Sequence, residues 1–197
     1  TPGQLGWAYS LPMHHYVAFL RGINLGNRRI KMTDLRALFE EMKFSQVETF
    51  IASGNVIFSS KESDETQLTR RIEHHLHAKL GYTVDTFVRT RIEVATVVAF
   101  QPFSGADLLD PANSIYCSFL REPLGAAQAR GLLACRTDVD EFRVGSREFY
   151  WLCRIKSSES KVWASPQMRA LKLPSSSMRN FTTIRKLAAQ FPVGATA

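Results

Sequence analysis

Polar side chains that are able to bind an anion occur in a Gly-rich stretch near the start of the chain. Arg21 and Asn24 lie in the run from Arg21 to Gly26, which follows a short alternating segment. Glycines let backbone N–H groups converge on an anion, and a guanidinium can hold two of its oxygens at once. The run lacks the full G-x-G-x-x-G and G-x-x-x-x-G-K-[ST] patterns, so neither Rossmann nor P-loop chemistry is indicated. An anion site and a plain Gly-rich connection both remain open.

Ser53-Gly54-Asn55 could present a hydroxyl and an amide beside that loop. A Gly-Asn pair is also a favoured two-residue hairpin turn, because both positions must reach positive φ. The turn explanation is sufficient by itself, and the ligand role of Ser53 and Asn55 stays an alternative.

Near the end of the chain, Arg179-Asn180-x-x-Thr183 is typical of a helix N-terminus, which Asn180 or Thr182 can cap. Arg179 has no such structural role, and helix starts favour anions. We predict that Arg21 and Arg179 flank one anion site, with Asn24 and Asn55 beside it. The alternative is that each arginine donates to a backbone carbonyl of its own half.

Ser160-Lys161 suggests a Ser/Lys nucleophile, but adjacent residues of a helix do not face each other. We therefore keep only a phosphate contact for Lys161, and the catalytic residues, if the protein is an enzyme, stay unknown. The candidate ligand-binding residues share polar side chains at the ends of elements: Arg21, Asn24, Ser53, Asn55, Lys161, Arg179 and Asn180.

No metal or cofactor is expected. His74 and His77 share a helix face, but no cysteine or carboxylate completes a set, and zinc needs three or four ligands. The three cysteines form no C-x-x-C pair. An odd number of cysteines without such a pair favours a reduced, cytoplasmic setting.

Composition limits the class of protein and of partner. The 197 residues are 45% hydrophobic and 22% charged, which excludes disorder of the whole chain. The net charge of +7 favours anionic partners, namely a phosphorylated small molecule, a nucleotide or nucleic acid. No apolar run reaches the roughly 20 residues that span a bilayer, so no membrane partner is expected. Residues 1–12 are predicted to be an unstructured extension or a cloning remnant.

The hydrophobic periods predict two similar halves joined by a linker with a short helix at 92–100. In the first half we expect strands at 16–21, 47–52, 56–59 and 83–88, a helix that Thr33 caps and that extends to Met42, and a helix from Asp64 to Leu80. In the second half we expect strands at 114–121, 139–144 and 147–153, helices at 125–135 and 162–171, a weak last strand at 175–178 and a final helix ending near Gln190.

Both halves read β-α-β-β-α-β, the ferredoxin-like order, and both carry Phe-Leu-Arg at the end of their first strand, at 19–21 and at 119–121. We therefore predict an α+β fold made by internal duplication. The halves are 13–90 and 113–195, and the linker is 91–112.

The chain resembles domain-of-unknown-function family 1697, which is bacterial and uncharacterised. The resemblance rests on YVAFLRGIN at 16–24, KMxxLR at 31–36, SGNVIF at 53–58, YWL at 150–152, SKV at 160–162 and RNxxT at 179–183. It extends in order from Met13 to Gln190. It implies duplicated ferredoxin-like halves and no known reaction.

Three functions remain open, and the sequence does not decide whether the protein is an enzyme. The first is binding of a phosphate-bearing small molecule or nucleotide through Arg/Asn loops at the junction of the halves. The second is binding of single-stranded nucleic acid by the basic surface and the aromatic run Phe149-Tyr150-Trp151, which would depend on salt. The third is a structural or interaction protein without a ligand.

Overall fold

The computed structural model describes residues 12–51 and 54–191 and contains, within them, two four-stranded antiparallel sheets and seven helices. All but Pro12 of the predicted N-terminal extension lies outside these residues. In the first half the strand order is β2-β3-β1-β4, and every neighbouring pair is antiparallel. Its elements are β1 (His14–Leu20), α1 (Met32–Glu41), β2 (Ser45–Phe50), β3 (Asn55–Ser60), α2 (Glu65–Leu80) and β4 (Thr86–Thr90).

The second half repeats this order of strands as β6-β7-β5-β8, again antiparallel throughout. A linker with α3 (Arg91–Ala99) and α4 (Gly105–Leu109) leads into it. Its elements are β5 (Ser114–Phe119), α5 (Ala126–Ala134), β6 (Asp140–Val144), β7 (Glu148–Cys153), a 3-10 turn (Val162–Ala164), α6 (Pro166–Ala170), β8 (Ser177–Asn180) and the final helix α7 (Phe181–Gln190).

Helix α2 begins and ends where its local sequence predicts. The Asp64 carboxylate accepts from the backbone N–H groups of Thr66 and Gln67, and Gly81 ends the helix at φ +76°. Helix α1 differs from the prediction, because it begins at Met32 and Lys31 precedes it without a side-chain cap. Thr33 therefore lies inside α1 and does not cap it.

The segment predicted as one helix at 162–171 divides at Ser165. The Ser165 backbone is extended, and its side chain caps α6 by accepting from the Met168 N–H. Pro166 disfavours helical backbone at the residue before it and has no N–H to continue a preceding turn. A 3-10 turn and a separate short helix are the result.

The two sheets face each other across one shared core. Phe19 of β1 and Phe119 of β5 stack at its centre, with ring centroids 3.9 Å apart and planes 13° apart. Helices α3 and α7 contribute Val94, Val97, Ile184 and Leu187 to the same cluster. The opposite face of the first sheet packs against α1 and α2, and that of the second against α5 and α6. The two halves are therefore held together by buried apolar side chains and not by the linker alone.

Candidate functional site

Arg179 of β8 extends from the second half into the first. Its Nη2 donates to the carbonyl oxygen of Leu20 at 2.8 Å, and its Nε donates to Oδ1 of Asn55 at 2.6 Å. The remaining N–H groups face the carbonyls of Met178 and Gly54 and the hydroxyl of Ser177. Burial lowers the pKa of Arg179 to about 10, so the guanidinium stays protonated at neutral pH.

Arg89 of β4 makes the corresponding contacts from the first half to the second. Its Nη2 donates to the carbonyl oxygens of Leu120 and Arg147, at 2.5 and 2.7 Å. Arg89 pairs with Val17 of β1 as Arg179 pairs with Cys117 of β5. The carbonyls that accept from the two arginines also correspond, Leu20 to Leu120 and Gly54 to Arg147. The N–H of Leu20 donates to the carbonyl of Gly54, and the N–H of Leu120 donates to the carbonyl of Arg147.

Arg179 therefore donates to backbone carbonyls, as the alternative to an anion site predicted, but with one difference. Its acceptors include carbonyls of the opposite half, Leu20 and Gly54, whereas we expected carbonyls of its own half alone. The strand β8 lies at the edge of its sheet, where only β5 pairs with it, so its side chains can reach across the junction.

The two ends of the junction differ in charge. Asn55 lies opposite Phe19 in the first sheet, and Glu148 lies opposite Phe119 in the second. The end around Arg89 thus has a carboxylate at the position where the end around Arg179 has a neutral amide. Arg147 adds further charge pairs at the Arg89 end, with Glu65 at 2.8 Å and with Glu93. The Arg179 end has one negative charge fewer at this position.

A cleft of about 610 Å³ opens beside Arg179. One wall is the loop from Leu20 to Leu25, and the other wall is Ser176 to Arg179 together with Trp163. The loop turns at Gly22, where φ is +68°, a conformation that side chains with a Cβ rarely adopt. The cleft therefore brings together three of the residues predicted from sequence, Arg21, Asn24 and Arg179.

Arg21 is the most accessible cation of this cleft, with 56% of its side chain exposed. Its Nη1 donates to the hydroxyl of Ser175 at 3.0 Å and lies 3.4 Å from the Asp85 carboxylate. Ser175 also donates to Asp85, at 2.5 Å. The hydrogen bond from Ser175 and, after it, the bond from Arg21 hold the pKa of Asp85 below its ordinary value. Arg21, like Arg179, thus connects the two halves.

The two predicted amides have their hydrogen bonds within the protein. Asn24 Oδ1 accepts from the N–H of Ile30 at 2.8 Å, which closes the Gly-rich loop. Asn55 is fully buried, and its Nδ2 donates to the carbonyl of Phe50 at 3.0 Å. Asn55 is also the first residue of β3, so it lies in the strand and not in the turn. Both amides orient the walls of the cleft.

The other predicted residues do not line this cleft. Asn180 caps α7 by accepting from the Thr182 N–H at 2.9 Å. Lys161 lies in a separate hollow of the second half, together with Ser160, whose hydroxyl donates to Asp140 at 2.8 Å. Ser53 lies outside the described residues.

Sequence reasoning missed Trp163 and Arg89. Trp163 lines the cleft, and its buried indole Nε1 has no hydrogen-bond partner within the described part of the chain. Its ring packs edge-to-face on Trp151 and Phe142, and a tryptophan in such a setting is usually part of the core. Arg89 had a usable signal, since Arg89-Thr90 and Arg179-Asn180 are both an arginine followed by a helix cap.

Among residues 12–51 and 54–191, no cluster of three or more His, Cys, Asp or Glu is arranged to hold a metal ion. None of the helices found there is long and apolar enough to cross a bilayer.

A family model described as Protein of unknown function (DUF1697) matches residues 13–150. The chain belongs to this family. The match contains the elements from β1 to β6, the cleft loop and the start of β7, while Trp163 and Arg179 lie beyond it.

One solved structure, of a conserved bacterial protein from Streptococcus pneumoniae, is similar to this chain with a TM-score of 0.72. The identity is 21%, and the similarity covers 91% of this chain and 98% of that one. It supports the fold alone, as a mixed α+β arrangement of two halves. No curated protein matches the chain.

Proposed function

We propose that this protein binds a phosphate-bearing small molecule or a nucleotide in the cleft beside Arg179. The observation that supports this proposal is that Arg21, Arg179 and Trp163, which come from both halves, line one cleft of about 610 Å³. A cavity of this size lies within the usual range for small-molecule sites, which is about 300–1,000 Å³.

The three side chains have different roles in the proposed site. Arg179 contributes charge, because its N–H groups face protein acceptors. Arg21 is exposed, and its contacts to Ser175 and Asp85 both use Nη1, so the rest of its planar fork is able to face a phosphate. Trp163 offers an aromatic wall to the cleft.

The charge difference across the junction favours this end for an anion. Asn55 is neutral, while its counterpart Glu148 carries a carboxylate. The positive charge of Arg179 is therefore not offset by a carboxylate at this position, which favours an anion in the adjacent cleft.

The nucleic-acid alternative has weaker support. Phe149, Tyr150 and Trp151 are all buried, at 2%, 0% and 4% exposed, so they form no stacking platform. The net charge of +7 is what remains in its favour.

The fold proposal is that both halves are ferredoxin-like and arose by duplication. The shared strand order and the corresponding contacts of Arg89 and Arg179 support it. The cysteines are free and buried, which supports the proposed cytoplasmic setting.

The experiment is a thermal-shift screen with nucleotides and sugar phosphates on the wild type, Arg21→Ala and Arg130→Ala. Arg130 is an exposed arginine of α5 that does not line the cleft, so it is the matched control. We expect a ligand that raises the Tm of the wild type and of Arg130→Ala, with a smaller shift for Arg21→Ala. A ligand that stabilises all three proteins equally would show that Arg21 does not form its site. If none of the compounds raises the Tm of the wild type, the result would favour a structural or interaction protein without a ligand.

A further inference from the structure

A second cavity, of about 330 Å³, lies between the first sheet and the helices α3 and α7, away from the junction cleft. Its walls are mostly apolar and include Ile57, Val94, Leu187 and Phe191. One end is polar. The polar residues at that end are His15, Gln46, Glu48, Ser59 and Arg91.

The polar end contains a connected set of hydrogen bonds. The Ser59 hydroxyl donates to Oε1 of Gln46 at 2.7 Å, and Nδ1 of His15 lies 2.8 Å from the same hydroxyl oxygen. Since Ser59 uses its hydrogen toward Gln46, Nδ1 of His15 is the donor in the second bond. The neutral ring then carries its lone pair on Nε2, which is able to take up a proton.

Gln46 is held in an unusual conformation at this end of the cavity. Its φ is +51°, and it lies in the irregular stretch of β2 between Ser45 and Glu48. Such backbone is uncommon for a residue with a Cβ and occurs often at binding sites. The irregularity lets Gln46 reach Ser59 from the edge strand.

The second half shows what fills the corresponding space there. By strand register, His15 corresponds to Ile115, Ser59 to Leu152 and Ile57 to Tyr150. Phe100 of the linker packs on Tyr150 with centroids 5.3 Å apart. The Phe103 ring packs against the guanidinium of Arg143. Arg143 corresponds to Glu48, because Arg143 lies opposite Tyr150 as Glu48 lies opposite Ile57. Aromatic side chains of the protein therefore occupy the place that is a cavity in the first half.

At the polar end, the charged groups that act on His15 are positive. Burial lowers the pKa of His15, and the positive charges of Arg91 and His14 lower it further. Arg91 is also the first residue of α3, where the helix dipole is positive. Glu48 is the one acidic residue among those that line the cavity, and it is exposed on the edge strand.

We propose that this cavity binds a small carboxylic acid with an aromatic or branched apolar body, whose carboxylate lies against His15 and Arg91. The apolar body occupies the space that Phe100 and Phe103 fill in the second half. Binding of the carboxylate favours the protonated imidazole, so the complex takes up a proton.

The test uses 4-phenylbutyrate as the probe and 4-phenylbutan-1-ol as its neutral analogue, with calorimetry on the full chain. We expect saturable binding of the acid, at least tenfold tighter than that of the alcohol. Titrations in buffers of different ionisation enthalpy should show proton uptake, and NMR should show the His15 pKa rising on binding.

Three variants locate the site. Arg91→Gln should weaken the acid about tenfold and leave the alcohol unchanged, and Arg130→Gln, on an exposed arginine away from the cavity, should alter neither. Ala188→Phe, which fills the cavity from α7, should abolish both, with its folding checked by circular dichroism. If neither probe binds, or the alcohol binds as well as the acid, the proposal is wrong.

Discussion

Arg89 and Arg179 occupy the same position in the two sheets, and each donates to a carbonyl at the C-terminal end of the first strand of the opposite half, in the strand for Leu20 and just after it for Leu120. The acceptor of Arg89 is Leu120, and that of Arg179 is Leu20. Each guanidinium also lies near the Phe ring of that opposite strand, 5.5 Å from the Phe119 centroid and 5.9 Å from the Phe19 centroid. The last strand of each half is thus fixed by the first strand of the other.

Loss of either arginine should destabilise both halves together. We expect Arg179→Met to lower the free energy of unfolding by about 3 kcal/mol, because several buried carbonyls lose their donor. Urea denaturation followed by fluorescence and by circular dichroism should still give one coincident transition. Arg130→Met is the control and should change the value by less than about 0.5 kcal/mol. Separate transitions for the two halves would contradict the interdependence.

The neutral residue beside Arg179 should control anion affinity at the junction cleft. Asn55→Asp introduces the carboxylate that Glu148 provides at the other end, and we expect it to weaken binding of a phosphorylated ligand about tenfold. Glu148→Gln makes the reverse change and should leave that binding unchanged. Calorimetry with a ligand from the thermal-shift screen measures both. Equal effects of the two changes would show that the anion does not lie at the Asn55 end.

Trp163 should report on occupancy of the same cleft. A ligand in contact with the ring should change tryptophan fluorescence of the wild type, and Trp163→Phe should remove that change. Trp151→Phe provides the comparison, because Trp151 is buried and donates to Asp140 at 2.8 Å, outside the cleft. If the signal survives in Trp163→Phe, the ligand binds elsewhere.

The contact between Ser175 and Asp85 should make stability depend on pH in a defined direction. The folded-state pKa of Asp85 is lowered, chiefly by the Ser175 hydrogen bond, so the stabilisation is present above the ordinary pKa of 3.8. It is lost as the pH falls through the lowered value. Ser175→Ala should therefore cost about 1 kcal/mol at pH 7 and progressively less as the pH falls below 3.8. Urea denaturation across this range tests it, and a constant difference at every pH would exclude this cause.

Two glycines of the cleft region should differ sharply in their tolerance of a methyl group. At Gly54, where φ is +72°, an added Cβ would lie 2.7 Å from Cγ2 of Ile23 and 3.3 Å from the Leu20 carbonyl oxygen. Gly26 has a similar φ of +61° but open space around it. We expect Gly26→Ala to cost about 1 kcal/mol of backbone strain and Gly54→Ala at least about twice that. Equal losses in urea denaturation would mean that Ile23 moves aside freely.

The sequence by itself determined the order of the strands along the chain and several helix ends, but not α4 or the division of the segment 162–171. Asp64, Gly81 and Asn180 act on backbone groups two to four residues away, so their roles depend on local geometry alone. The motifs between residues 16 and 183 also pointed to the family, whose model matches residues 13–150.

Only the tertiary structure decided which polar residues meet. Arg179 bonds to Leu20, which lies 159 residues earlier, and Trp163 joins the same cleft although no pattern singled it out. Lys161, just two residues before Trp163, lies in a different hollow. Contacts of this kind depend on how the strands of two sheets pair and how the sheets pack, and hydrophobic spacing within one segment does not specify that packing.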